Sequence, residues 1–307
     1  MKPVLDRALR RKPAAFRPDV HSLVMCRLPT DGPRADKPED PERCEAVRQL
    51  FDDIDWPCEV HKDFSDHNMG CRRRVASGIS WAFELMEEAI ILEDDCLPDQ
   101  GFFRYCQELL EYYRHDRRVM HIGGTNLAPR PQRVSASYVF SRHSHCWGWA
   151  TWRRAWALYD HEMVQWPAVR DGGWLHDYLA NDQADIDFWS ERFDAVADNK
   201  LDSWATIWMF SCWVNNGLSI LPVANQVTNI GLGIPDATHT GGEKAKRMMK
   251  ATEPMTFPLK HPTCMIRDSR TDAYANLHQL GIKGYAGVPG FFRRFRRWRR
   301  RFLNRSV

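Results

Sequence analysis

AIILEDDCLP, residues 89–98, reads as a short buried strand that stops at three consecutive acids, Glu93, Asp94 and Asp95, and is closed by Pro98. The apolar run has Glu87 and Glu88 before it and the acids after it. Such a run fits a central parallel strand covered on both faces. In open α/β sheets, ligands gather outside the carboxyl ends of the strands, so three carboxylates there would face a crevice. Neighbouring like charges repel unless a cation joins them, and hard oxygen donors suit Mg²⁺ or Mn²⁺ shared with a substrate phosphate. The plain alternative is that the acids cap the next helix, because residues 99–114 have a helical pattern and anions favour helix starts.

Working outward, Val75, Ile79, Phe83 and Met86 recur at helical spacing, which predicts an amphipathic helix over 71–88 that feeds into the strand. Arg72, Arg73 and Arg74 fall in its first turn. Cations there oppose the helix dipole, a small cost that makes sense with an anion alongside; otherwise they form a solvated basic turn. Ser22–Leu28 and Cys58–Phe64 read as earlier strands, with a turn-rich loop and a helix over 42–53 between them. Val119–Gly124 and Tyr138–Arg142 read as later strands. Strands and helices alternating in this order predict a single α/β domain over 1–288, with a mainly parallel, Rossmann-like central sheet flanked by helices.

HCWGWATWRRAW, His145–Trp156, follows. Gly148 permits close backbone approach, and Trp147, Trp149, Trp152 and Trp156 are placed to wall a cleft. Further helices are expected over 151–159, 174–180, 185–197 and 202–215, and extended chain over Leu218–Gly233, broken by Pro222.

The chain has 307 residues with 43% hydrophobic side chains, enough for a substantial core. Nine cysteines are scattered with no CxxC pair, which argues against a zinc ribbon or a dense disulfide framework and for a reducing compartment. No apolar run approaches a membrane span, and no apolar segment follows the basic N-terminus, so a cytoplasmic location is expected.

Taken in order, NMGCRRR, IILEDDCLP, WGWATWRRAW, DSWA, NGLSILP, NQVTNIGLG and DATHT resemble the bacterial GT-A fold glycosyltransferases of the nucleotide-diphospho-sugar transferase superfamily. The acidic motif is also similar to the Glu-Asp-Asp of N-acetylglucosaminyltransferases. The resemblance covers roughly 30–240 and implies a GT-A fold. It implies a metal-dependent transferase that moves a sugar from a nucleotide donor, UDP-sugars being favoured, to a hydroxyl of a glycan or lipid-linked acceptor, with inversion. A role in cell-envelope polysaccharide synthesis would follow. By that resemblance Asp95 is the direct ligand of Mn²⁺ or Mg²⁺, and His239 in DATHT completes the metal site. Glu93 and Asp94 face the ribose or the metal's waters. Asn68 with Arg72, Arg73 and Arg74 lies along the nucleotide and its phosphates, and Asp31 lies near base and ribose. Asp202 is the base that removes the acceptor's proton, and Trp147, Trp149 and Trp204 belong to the acceptor cleft. Residues 1–21 depart from the family pattern as a divergent or truncated start.

Asp202 also has a simpler reading as a first-turn or capping acid, and His239 as a hydrogen-bonded structural histidine. A catalytically silent sugar-nucleotide or glycan binding protein is the alternative from another class. A sugar-phosphate nucleotidyltransferase would want a Gly-rich basic loop near the N-terminus, which is absent here.

In the segment 289–307, Phe291, Phe295, Trp298 and Phe302 form one helical stripe among arginines. That composition fits an interfacial helix drawn to anionic lipid on the inner face of the membrane, or a tail whose aromatics pack back on the body. No nucleic-acid partner is expected.

Overall fold

The structure, a computed structural model, describes residues 25–52, 54, 58–129, 135–233 and 248–282. His239, the start at 1–21 and the expected helix at 289–307 lie outside the described residues. The architecture is mixed α/β. β1 (Met25–Thr30) pairs in parallel with β2 (Glu59–Phe64), and helix Asp40–Gln49 lies between them in sequence. Helix Cys71–Leu85 then leads into β3 (Glu88–Ile91), and a tight turn leads into β4 (Cys96–Pro98). Next come helix Gln100–Tyr112, β5 (Val119–Gly123), β6 (Tyr138–Ser141) and β7 (Trp149–Trp152). Among the helices that follow are Gln183–Ala197 and Trp204–Val214, before β8 (Leu218–Pro222) and β9 (Val227–Asn229).

The central sheet has five strands in the order β3-β7-β5-β8-β6. It corrects the expectation of a mainly parallel sheet. β5 and β8 run parallel, whereas β3/β7, β7/β5 and β8/β6 are antiparallel. The acidic strand is therefore at an edge and only half-buried, not central and covered on both faces. The cause is the Trp-rich segment. Residues 149–152 enter the sheet as an inner strand between β3 and β5, with Ile91 opposite Trp149. An amide–carbonyl contact of 2.7 Å from Gly124 to Gly148 closes the approach. Gly148 takes φ +64°, and a Cβ there would lie 2.7 Å from Val227, so glycine is required at this corner.

Alternation along β7 sends its side chains into two cores. Trp149 joins Trp156, Trp204 and Trp208 on one face; Ala150 and Trp152 join Phe102, Tyr105 and Leu109 of helix Gln100–Tyr112 on the other. Each such large side chain contributes about 1.5–3 kcal/mol on burial. Helix Trp204–Val214 is apolar on every side because it is a buried layer. It lies against helices Cys71–Leu85 and Gln183–Ala197. An ion pair, Arg142 with Asp185, is fully buried in the same half and is completed by Asn276 Nδ2, 2.9 Å from Asp185.

Helix Cys71–Leu85 packs on β1 through Gly78. A Cβ at Gly78 would stand 2.6 Å from Pro29 Cγ and 2.7 Å from Pro29 Cβ, a ring with little freedom to yield. Gly→Ala inside a helix ordinarily gains about 0.5–1 kcal/mol. Gly78→Ala is instead expected to cost about 1–3 kcal/mol through overpacking, measured as a lowered urea midpoint; an unchanged or raised midpoint would contradict this packing.

Candidate functional site

Glu93, Asp94 and Asp95 occupy the turn between β3 and β4, closed by a 3.1 Å hydrogen bond from Cys96 N to Glu93 O. They do not cap the next helix. That task falls to Asp99, whose carboxylate accepts from Gly101 N at 2.9 Å. β4 pairs with β9, and Ile230 N donates to Asp95 O at 2.8 Å, which fixes the turn against residues 229–231. Gly231 is needed there because a Cβ would come within 2.5 Å of Asp95 Oδ2. Donor atoms of Glu93, Asp95 and Cys96 all lie within 4.8 Å of one another.

The other acids come to the same place from far along the chain. Asp202 accepts from Cys71 N at 2.9 Å and from Arg72 N at 3.0 Å, so both oxygens cap the start of helix Cys71–Leu85. Gly70 at φ +79° turns the chain into that helix beside the carboxylate. Ser203 caps its own helix by accepting from Thr206 N at 3.2 Å, which leaves Asp202 free for this second task. A cap of this kind contributes about 0.5–2 kcal/mol.

Asp31 organises the approach to the same helix. It accepts from Gly32 N at 2.9 Å, Met69 N at 2.8 Å, Gly70 N at 3.2 Å and Asn68 Nδ2 at 3.0 Å. Trp204 ties the two halves together by donating its indole N–H to Glu93 Oε1 at 3.3 Å.

These acids converge on Cys71. Burial first, then the charges of Glu93, Asp202, Asp31 and Asp94, push its thiol up to about 12, which keeps it protonated and excludes it as a thiolate nucleophile near neutrality. Cys146 lies close by and is raised by burial and by Glu93 and Asp95.

Compensation is uneven across the cluster. Asp31 and Asp202 are satisfied by backbone donors, whereas Asp94 is exposed and Glu93 has Trp204 as its side-chain hydrogen-bond donor among the described residues. Burial pushes Glu93 up to about 8, and Asp95 and Asp94 add to it. Burial also raises Asp95, against the opposing effect of the Asn229 side chain. Neighbouring carboxylates that cannot all ionise are relieved by a cation. Two carboxylates with Asp94 beside them supply the hard oxygen donors that suit Mg²⁺ or Mn²⁺, which retain waters or substrate oxygens. The Cys96 thiol is a softer neighbour, 3.7 Å from Asp95 Oδ1.

The three arginines separate. Arg72 is buried, bonding Val196 O at 3.2 Å, Asn199 Oδ1 at 3.0 Å and the His161 carbonyl. Arg74 is buried in an ion pair with Asp63 at 2.9 Å. Both of these guanidiniums are held by protein acceptors. Arg73 is exposed and lines a 280 Å³ cavity with Arg72, Met69, His161, Asn199 and Asp202. Trp149 and Trp204 are in the core at 0% and 2% exposure, so they cannot stack on a sugar as an acceptor-cleft role requires. Trp149 stacks on Trp204 at 5.6 Å and on His121 at 5.0 Å. Trp147 is half-buried, and its carbonyl accepts from Thr125 Oγ1 at 2.8 Å. His121 is structural: its Nδ1 accepts from Trp208, its Nε2 donates to His145 O, and burial lowers it to about 3.

The sequence matches no protein-family model and no curated protein. Function is therefore read from the chemistry of the site.

Glu93 yields a pH dependence whose sign is opposite to that of an ordinary carboxylate. Its folded value of about 8 exceeds the usual 4.5, so the folded state holds this proton more tightly than the unfolded chain does. Its stabilising contribution is full below about pH 4.5 and is lost as pH rises through about 8. In metal-free protein the Tm is expected to fall across that window, less so in Glu93→Gln; identical pH profiles for the two proteins would contradict the assignment.

Proposed function

We propose that the protein is a GT-A type glycosyltransferase that moves a sugar from a nucleotide donor to a hydroxyl acceptor with the help of Mn²⁺ or Mg²⁺. The observation that carries this reading is the convergence of the turn Glu93–Asp95 with Asp202 at the start of helix Cys71–Leu85, around Cys71. A mixed α/β sheet with carboxylates at a strand end is compatible with it. Asp95 and Glu93 would hold the metal, which when bound would neutralise charge on the leaving diphosphate. Helix Cys71–Leu85 turns the positive end of its dipole toward the same space, and Arg73 adds an exposed cation. Asp31 and Asn68 hold the 68–70 turn that would border the nucleoside.

Asp202 is the candidate base. Each of its oxygens accepts one backbone hydrogen bond and keeps a lone pair, and the carboxylate borders the 280 Å³ cavity where an acceptor hydroxyl would enter. A carboxylate fixed in one orientation is suited to taking a proton as the anomeric carbon is attacked, with inversion. The engagement of both oxygens also favours a second reading, a binding protein without turnover, in which Asp202 is only a cap.

Calorimetric titration with UDP-sugars, with and without Mn²⁺, followed by an assay of donor hydrolysis and transfer, distinguishes these. The glycosyltransferase reading predicts Mn²⁺-dependent donor binding that is lost in Asp95→Asn. It predicts turnover that falls at least about a hundredfold in Asp202→Asn, the lower end of the usual contribution of a general base, a loss larger than any accompanying loss of donor binding. Binding with no hydrolysis or transfer would establish the silent protein, and no metal-dependent binding would overturn both.

A further inference from the structure

Arginines set into this fold place their terminal nitrogens on protein oxygens. Arg72 reaches three acceptors, Arg74 pairs with Asp63, Arg142 with Asp185, and Arg154 donates to the carbonyls of Tyr113, Arg114 and Val119. Arg192, half-buried on helix Gln183–Ala197, departs from this pattern. Its Nε donates to Thr206 Oγ1 at 3.1 Å, and Thr206 Oγ1 in turn lies 2.9 Å from Ser203 Oγ, the residue that follows Asp202. Its two terminal nitrogens meet no carboxylate or carbonyl among the described residues, and neither is sealed from solvent.

The guanidinium is anchored at one edge, two hydrogen bonds from the loop that carries Asp202, with its bidentate fork unused among the described residues. The fork is open to solvent and has no counter-ion among the described residues, and parallel N–H donors of this kind match a carboxylate or a phosphate. Burial lowers its pKa, yet a guanidinium stays charged at any physiological pH.

We propose that Arg192 binds an anionic group on the acceptor, a carboxylate of a uronic acid or a phosphate ester, and orients the acceptor hydroxyl toward Asp202. The inference rests on the glycosyl-transfer reading and adds the acceptor's chemical class to it. It gives the acceptor site a cation of its own, carried by helix Gln183–Ala197, whereas Arg73 belongs to helix Cys71–Leu85.

The test is binding of three simple probes to the full chain: a methyl glucuronide, a glucosyl phosphate and a neutral methyl glucoside. It is carried out on wild type, Arg192→Gln and Arg192→Lys, with Mn²⁺-dependent UDP-sugar binding measured in parallel. Wild type is expected to prefer an anionic probe over the glucoside, the glucuronide and the phosphate showing which anion the fork takes. Arg192→Gln should weaken that probe about ten- to a hundredfold, the loss of a charge-assisted pair, with donor binding unchanged and Arg192→Lys partly restoring it.

Thermal unfolding separates recognition from folding. Arg192→Gln loses one hydrogen bond, to Thr206 Oγ1, and no ion pair, so the Tm should fall only slightly. Equal affinity of wild type and Arg192→Gln for every probe, with donor binding intact, overturns the inference and leaves the transferase reading standing. A strongly lowered Tm with parallel loss of donor binding makes the residue structural and also overturns it. Absence of donor binding in wild type is instead the failure of the transferase reading.

Discussion

The site depends on one contact, the pair of hydrogen bonds from the Cys71 and Arg72 backbone amides to the two oxygens of Asp202. The residues it joins are about 130 positions apart, and the contact settles three placements together. It fixes where helix Cys71–Leu85 begins, and with it the direction of the helix dipole. It fixes the loop before helix Trp204–Val214, so that Trp204 reaches Glu93 and Thr206 reaches Arg192. It also holds one carboxylate at the rim of the cavity shared with Arg73. Gly70 and Asp31 serve the same junction, the first by its left-handed backbone and the second by gathering the 68–70 amides.

The charges around that junction are divided by function. Acids satisfied by backbone amides, Asp31 and Asp202, shape the chain. Glu93 and Asp95 instead crowd a turn in which burial and neighbouring charge oppose their ionisation. Fixed backbone would be strained by moving them apart, because β4 pairs with β9 on one side of the turn and β3 with β7 on the other. A divalent cation relieves such a turn without altering the fold.

Much of this was legible in the sequence. The apolar period of 71–86 marks the helix, and the helix carries the arginines at its start. The acid run marks the turn, whereas the gathering of Asp31, Asn68 and Asp202 at one helix start has no local signal in the sequence. Sheet direction was not legible. Periodicity distinguishes strand from helix but is silent on pairing partners, so the insertion of 149–152 as an antiparallel inner strand had no local signal beyond Gly148. Tryptophan spacing misled for a related reason: a Trp suited to a sugar face is equally suited to a two-sided core, and Trp149 and Trp204 fill the core. The separate fates of Arg72, Arg73 and Arg74 follow from a rotation of about 100° per residue around the helix, which aims adjacent side chains in different directions. Arg192 had no signal at all, because a single arginine on a helix acquires meaning only from what it fails to touch.

The most direct measurement is the position of Mn²⁺ by anomalous scattering in crystals of the full chain grown with Mn²⁺ and UDP. The account predicts a metal peak about 2.1 Å from a carboxylate oxygen of Asp95, with Glu93 facing it directly or through water, the UDP phosphates completing its coordination, and Asp202 still capping residues 71 and 72. A peak bound elsewhere, or a diphosphate that avoids the start of helix Cys71–Leu85, would contradict it.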